Sequence, residues 1–473
     1  MNGDDVWVGF DVGTQGARAV AVSGDGRVVG RGEAALRGRR EAGRHEQDPA
    51  AWWEATALAS RAAMAGVAPE RVRGVATCAT SGTVLLVDRE GEQLTPGLMY
   101  DDARAAEQAA RVGMPASWGL PKLAWMLDAW PDLARGARAA HQADVITRRL
   151  AGHDVPADSS HALKTGYDVE RERWPALDLP DGMLPDVVRS GTLLGEVCAA
   201  AAAETGLPPG TPVVAGMTDG CASQLAAGAV REGSWVSVLG TTLVLKGCST
   251  RLLRDPAGVL YSHRSPGGAW LPGGASSTGA GVLAATFLGR DLDELGARAA
   301  EHERTSVLAY PLVSRGERFP FAAPEAEAFM LGEPSGDAER FAALLQGVAF
   351  VERLCFDAVD LLGAAEVREL TLTGGGTRSR YWCQLRADVL GHPVRLVEHP
   401  DAAFGMAVLA ASSGGDVAAT AAEMVLTREV IEPRGSHAGR FEAPYLRLVS
   451  ELERRGWLGA PLAEHARHRC CRG

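Results

Sequence analysis

The chain has 473 residues, 46% of them hydrophobic and 23% charged, which excludes a disordered protein and provides for two large domains. A formal net charge of −11 argues against nucleic acid or an anionic membrane as partner, since either would require a basic surface. No apolar run reaches the ~18–20 residues that cross a bilayer, the eight scattered cysteines lack zinc spacing and are expected as reduced thiols, and Met1–Val8 does not read as a signal peptide, so a cytoplasmic enzyme is expected.

Val6, Val8 and Phe10 alternate with small or polar partners, predicting an opening strand. Gly13 to Gly16 turn the chain, Ala17 to Val22 return it, and Gly24-Asp25-Gly26 turns it again into Val28-Val29. Asp48-Pro49 is an N-cap and N1 pair, so a helix is expected through Trp52, Trp53, Thr56 and Leu58 to Met64. Another strand precedes Thr77 to Thr83. Three strands ahead of a helix and a further strand suit a mixed sheet better than a parallel one. Residues 150–212, rich in Pro, Gly and charge, read as an insertion on the first domain. The opening pattern then recurs, with Trp235 to Leu239 as a strand, Gly240-Thr241-Thr242 as a turn and Leu243 to Lys246 as the return. A third element follows: Leu370 to Thr373 as a strand, Gly374-Gly375-Gly376, and a helix from about Ser379 to Leu390 stopped by Gly391 and Pro393. The tail after about Leu448 is expected to fray.

In Asp11-Val12-Gly13-Thr14-Gln15-Gly16-Ala17-Arg18 a carboxylate ends a buried strand and opens a glycine turn. Backbone N–H groups and the Thr14 hydroxyl there can cradle phosphate oxygens, and Asp11 can orient hydrated Mg²⁺. Standing alone, the motif reads first as a hairpin with an Asx-type turn. Asp219, in Gly216-Met217-Thr218-Asp219-Gly220-Cys221, likewise reads first as a helix cap, worth ~1 kcal/mol. What shifts both readings is order: an acid, two phosphate-type turns and a triple-glycine loop succeed one another along the chain. A dinucleotide-binding oxidoreductase would need G-x-G-x-x-G, which the spacing of Gly9, Gly13 and Gly16 does not supply.

That order resembles the FGGY carbohydrate kinases, within the actin, hexokinase and Hsp70 superfamily. The resemblance runs from residue 6 to about 445 and adds Gln47-Asp48-Pro49 with Trp52-Trp53, Lys122-Leu123 with Trp125-Met126 and Asp128, and Gly316-Glu317-Arg318-Phe319-Pro320. It implies an α/β fold of two duplicated RNase H-like domains with an active-site cleft between them. The implied boundaries are 1–232 for sugar binding and the catalytic Asp, 233–448 for the nucleotide, and 449–473 as a tail. By the same resemblance ATP and Mg²⁺ are cofactors, Asp219 is the base, and Gly240 and Thr241 form the second phosphate turn. Gly374, Gly375, Gly376, Thr377 and Arg378 match the adenosine loop, and Gly273, with Gly274, is either a further nucleotide contact or a plain turn. Met99-Tyr100-Asp101-Asp102-Ala103-Arg104 looks like the sugar loop, Asp102 and Arg104 meeting vicinal hydroxyls and Tyr100 offering a ring face, with a solvated acidic helix start as the alternative. Thr80 to Thr83 lines the same pocket or ends a strand.

Four segments are further similar to the D-ribulokinase group of cyanobacteria and plants: Thr80 to Leu86, Ala162-Leu163-Lys164 with Gly166-Tyr167, Tyr261-Ser262-His263, and Ser314 to Pro320. This implies phosphorylation of D-ribulose to D-ribulose 5-phosphate, with Asp11, Gln15, Gly16, Ala17, Arg18, Tyr100 and Asp219 at the sugar. Gln15 stands where that group has Ser, which makes D-xylulose the nearest competitor. Gly119 also departs, replacing the small hydroxyl or proline expected ahead of Lys122. A non-enzyme alternative is an ATP-binding sugar sensor of actin-like fold, and a homodimer is compatible with the sequence.

Overall fold

Val6, Val8, Phe10 and Val12 point to one side of the first strand and Trp7, Gly9 and Asp11 to the other. In a computed structural model of the chain, which describes residues 3–133 and 135–470, both sides are buried. That strand, β1 (Val6–Val12), is joined by β2 (Gly16–Ser23), β3 (Val28–Ala35), β4 (Val72–Ala79), β5 (Leu193–Glu196) and β6 (Pro212–Thr218). They form a six-stranded sheet in the order β5-β6-β4-β1-β2-β3. The apolar side of β1 packs with Trp52 and Trp53 of the helix Pro49–Met64. Asp48 caps that helix by accepting the Ala50 N–H, as its sequence predicts.

The other side of β1 receives the helix Ala402–Ala411, and glycine makes the close approach feasible. A Cβ at Gly9 would sit 1.8 Å from Ala403 O, and one at Gly405 would sit 1.9 Å from Ala222 O of the helix Asp219–Ala226.

The second sheet is built from β7 (Ser234–Leu239), β8 (Leu243–Gly247), β9 (Tyr261–Arg264), β10 (Trp270–Ala275), β11 (Glu369–Thr373), β12 (Val394–Val397) and β13 (Thr427–Ile431), in the order β9-β10-β8-β7-β11-β12-β13. Read from β10, its pairings are antiparallel, antiparallel, parallel, parallel and antiparallel. The path β3-β2-β1-β4-β6-β5 in the first sheet has the same succession of directions. The duplication expected from two short glycine-turn hairpins is therefore carried by whole sheets.

The chain divides into two compact units. One runs to Val230 and takes in His263–Ala269 and His399–Leu426, and the other holds Arg231–Ser262, Trp270–Glu398 and the chain from Thr427 onward. Two segments of the expected 233–448 domain, His263–Ala269 and His399–Leu426, belong to the first unit. For the second of them the reason is burial: Ala402 to Ala410 are covered all round, and the surface that covers them is β1 and the Asp219 helix. Residues 150–212 stay in the first unit and carry β5 and the short helix Ser159–Ala162.

The expected fraying after Leu448 is corrected by the fold. Glu442–Arg454 and Ala460–Cys470 are helices, and Leu452, Leu458, Leu462, Ala463 and Ala466 join the core of the second unit. Cys471, also in the predicted tail, lies outside the described residues. Among the described residues no helix is long and apolar enough to cross a membrane.

One polar group is sealed inside the second core. Arg386 and Glu352, both 0% exposed, share two hydrogen bonds of 2.7 Å, and Arg386 Nη2 also donates to Ser237 Oγ on β7 at 2.8 Å. Removing one partner leaves a buried charge uncompensated. Glu352→Ala is expected to destabilise this unit by ~3–5 kcal/mol, read as a lowered urea midpoint, whereas a loss under 1 kcal/mol would show that the charge finds another partner.

Candidate active site

In the first unit, strand register assembles the site. Asp11 stands opposite Arg18 on β2 and Cys78 on β4, and Cys78 stands opposite Met217 on β6. The carboxyl ends of β1 and β6 therefore flank that of β4, the edge at which open α/β sheets take ligands. Asp11 Oδ2 accepts from Arg18 Nη1 at 3.0 Å, and Cys78 Sγ lies 3.7 Å from Oδ1. Burial first, then the negative charge of Asp219, push the Asp11 pKa up to about 6 against the pull of Arg18. The two expected acids are thus electrostatic neighbours.

Asp219 is the first residue of its helix, one position inside the N-cap, which is Thr218. The cap reading is set aside on that geometry. Asp219 Oδ1 accepts the Gly220 N–H at 2.7 Å. Behind it, Ser160 Oγ accepts the Thr218 N–H at 3.1 Å and lies 3.2 Å from both Thr218 Oγ1 and His263 Nδ1. The neighbouring His161 is fully buried, which by itself would lower its pKa, but Asp158 at 2.6 Å outweighs this and raises it to about 9. Its Nε2 lies 3.2 Å from Ala79 O, so the imidazole ties the end of β4 to the short helix Ser159–Ala162.

The first turn is held from below. Trp52 Nε1 donates to Gln47 Oε1 and Gln47 Nε2 donates to Thr14 O, each at 2.7 Å. The Gly13 N–H donates to Gly16 O at 3.0 Å, so it closes the turn and is not among the donors expected for phosphate. Gly16 pairs with Ala35, Ala17 buries its methyl group in the core and offers only backbone, and Gln15 and Arg18 project outward.

Of the sugar loop, Ala103 and Tyr100 are exposed, and of these two Tyr100 alone carries a polar side-chain group. Burial, then the charges of Asp101 and Asp219, raise the pKa of its hydroxyl. Its N–H donates to Thr83 Oγ1 at 3.1 Å and its carbonyl accepts from Lys122 Nζ at 3.1 Å. Lys122 is completely buried and also donates to Gly82 O and Ser117 O, both at 2.9 Å, and burial pulls its pKa down to about 7. Sequence reasoning assigned Lys122 no role, although a lone lysine in the apolar run Leu120 to Met126 was the available signal. Gly119, a departure in the sequence, is explained by space, since a Cβ there would sit 2.5 Å from Thr165 Oγ1.

Asp102 and Arg104 correct the expectation of direct sugar contacts. The Asp102 carboxylate is 0% exposed and accepts the His45 N–H at 2.6 Å, the Arg104 N–H at 3.0 Å, and Arg104 Nε and Nη2 at 2.9 and 2.8 Å. Arg104 also pairs with Glu46 at 2.7 Å and lies over the Trp125 ring at 4.8 Å. Their polar atoms brace the loop that presents Tyr100.

In the second unit the Gly240 N–H donates to Thr242 O at 3.1 Å, while the Ala280 and Gly281 N–H groups donate to Gly240 O and Thr241 O at 2.9 and 3.1 Å. Gly374 has a φ of 83°, and a Cβ on it would meet Leu239 O at 2.6 Å. Only glycine lets this loop come so close to the end of β7. Thr377 donates to Gly374 O through its N–H at 3.1 Å and its hydroxyl at 2.8 Å, Gly376 packs on Leu239, and Gly375 and Arg378 face outward. Gly240, Thr241 and the segment Gly374 to Arg378 thus meet at the carboxyl ends of β7 and β11. Gly273 does not join them: it is a buried residue of β10 paired with Lys246, and Gly274 beside it makes room for the Phe319 ring, so the segment is neither a turn nor a ligand loop.

A mixed sheet duplicated in this way is the fold of sugar kinases in the actin, hexokinase and Hsp70 superfamily. The chain belongs to the FGGY family of carbohydrate kinases, whose N-terminal domain matches residues 6–226 and whose C-terminal domain matches residues 236–414. It is accordingly a carbohydrate kinase, a phosphotransferase. The xylulose kinase of Streptomyces coelicolor is 31% identical over 449 residues, covering 88% of this chain and 89% of that one. The Autoinducer-2 kinase of Klebsiella pneumoniae is 28% identical, covering 92% and 91%. The crystal structure of xylulose kinase from Rhodospirillum rubrum superposes with a TM-score of 0.84 at 27% identity, covering 94% of this chain and 98% of that one.

Proposed function

We propose that this kinase transfers the γ-phosphoryl group of ATP to the terminal hydroxyl of a ketopentose, with D-xylulose as the preferred substrate and Asp219 as the base. The observation that carries the chemistry is the electrostatic coupling of Asp11 with Asp219, at the ends of the two strands that flank β4. A sugar hydroxyl is a weak nucleophile at neutral pH, so Asp219 accepts its proton as the new O–P bond forms. Tyr100, Gln15 and Arg18 are the outward-facing groups of the same unit that meet the remaining hydroxyls. Thr241 and the Gly374 to Arg378 loop take the phosphates and adenosine. Similarity to proteins named xylulose kinase, over most of each chain, supports the choice of sugar. D-Ribulose stands as the second reading, favoured by Thr80 to Leu86 and Ser314 to Pro320.

The residues fit a divalent cation. Two neighbouring carboxylates, one raised to about pH 6 by the other's charge and by burial, form an oxygen donor set that gains from added positive charge. Among the described residues no group of three or more His, Cys, Asp or Glu could hold a metal, which suits Mg²⁺ shared with phosphates and water. Asp11 would hold it through water, and bound there it would supply neutralisation of phosphate charge.

Coupled ADP release with ATP, Mg²⁺ and a panel of D-xylulose, D-ribulose and glycerol should give the highest kcat/KM for D-xylulose. A higher value for D-ribulose would reverse the sugar preference, a higher value for glycerol would remove the ketopentose, and no sugar-dependent release would overturn the whole reading.

A further inference from the structure

Glu317 is 3% exposed, yet it touches neither carboxylate of the proposed chemistry and lies in the second unit. Its two oxygens are surrounded by donors. Oε1 accepts the Ser277 N–H at 2.6 Å and the Arg318 N–H at 2.9 Å, Oε2 accepts the Tyr310 hydroxyl at 2.9 Å, and the Ser276 hydroxyl reaches both at 3.1 Å. The Thr278 hydroxyl lies 3.4 Å from Oε2, and Ser276 Oγ in turn accepts the Thr278 N–H at 3.0 Å. One carboxylate therefore gathers three successive residues, Ser276, Ser277 and Thr278, into a fixed loop. A buried carboxyl group ringed by donors serves as a rigid anchor.

That loop is bonded to the turn at Gly240. The Leu243 N–H donates to Thr278 O at 2.7 Å and the Ser276 N–H donates to Leu243 O at 2.9 Å. Ala280 and Gly281 then donate to the carbonyls of Gly240 and Thr241. The surfaces are flush, since a Cβ at Gly279 would lie 2.4 Å from Thr241 O and one at Gly281 2.8 Å from Thr241 Cγ2. Any displacement of Ser276 to Thr278 is passed to Gly240 and Thr241 through these bonds.

We infer that Glu317 is a positioning residue for nucleotide phosphate, clamping the loop Ser276 to Thr278 so that the turn Gly240-Thr241 is held in its binding geometry. This rests on Gly240-Thr241 being the phosphate turn. Glu317→Gln keeps the volume but sets an NH₂ group against the Ser277 and Arg318 N–H groups or withdraws the acceptor from Tyr310 and Thr278. The test uses the full chain with KM measured separately for ATP and for the ketopentose, plus the thermal midpoint, for Glu317→Gln, Ser276→Ala and Thr241→Ala. Ser276→Ala keeps the anchor and removes one donor, and it gives the reading if the Glu317 variant does not fold. The expected result is a rise in the ATP KM of about tenfold for Glu317→Gln and about threefold for Ser276→Ala, with the ketopentose KM within about twofold. An equal rise in both KM values, or an unchanged ATP KM in these two variants beside a raised one in Thr241→Ala, overturns the positioning role. An unchanged ATP KM in Thr241→Ala overturns the phosphate-turn reading, and the clamp with it.

Discussion

Replacing Asp219 with Ala is expected to lower sugar-dependent ADP release by about a thousandfold or more while ATP affinity, read by calorimetry, stays within about twofold. General-base catalysis is worth ~10²–10⁴ in rate, and Asp219 lies in the first unit, whereas Thr241 and the Gly374 to Arg378 loop, proposed for the nucleotide, lie in the second. The structural duty of Asp219 is small, one bond from the Gly220 N–H, while Ser160 fixes the strand end, so the fold is expected to survive the change. Turnover at the wild-type rate would exclude Asp219 as the base. Loss of ATP binding together with activity would instead make it a nucleotide-side group.

Asp11→Asn is expected to abolish activity and to raise stability. Burial and the charge of Asp219 lift the Asp11 pKa from 3.8 to about 6, so at neutral pH the carboxylate is ionised at a cost of ~3 kcal/mol. Because the folded pKa lies above the unfolded one, the folded state holds the extra proton between these values. The contribution is fully present below the unfolded pKa and is lost as pH rises through about 6. In metal-free buffer at pH 7–8, Asp11→Asn should therefore unfold at higher urea than the wild type by ~2–3 kcal/mol, and the gap should close near pH 4. A lower urea midpoint at pH 7 would show that the Arg18 pair outweighs burial and repulsion. Strain of this kind is what an acid kept for function at a buried strand end would show.

Much of this was legible in the sequence because it is set by neighbours along the chain. Asp48-Pro49 starts its helix and Ser379 caps another by accepting the Trp382 N–H, with Gly391 closing it at a φ of 63°. These are local bonds, and the residue types that make them can be read in a line. The two hairpins with glycine turns, at Gly13 and Gly240, likewise follow from alternation and turn chemistry, and they exposed the duplication.

What only the tertiary structure decided concerns burial and partners far away in sequence. Asp102 and Arg104 read as a polar loop facing sugar, yet His45, Glu46 and Trp125 enclose them, and no local pattern announces a buried pair. Gly273-Gly274 reads as a nucleotide contact or a plain turn, but strand pairing with β8 and the Phe319 ring make it a strand interior. The helix Ala402–Ala411 is apolar on every side, so its sequence cannot say which sheet it covers, and the space left by Gly9 settles that. The same holds for the site: Asp11 and Asp219 are each legible as strand-end acids, whereas their shared electrostatics arises from a three-strand register that places Cys78 between them. Sequence determines which residues can carry charge and end a strand; packing determines which of those charges must face each other out of water.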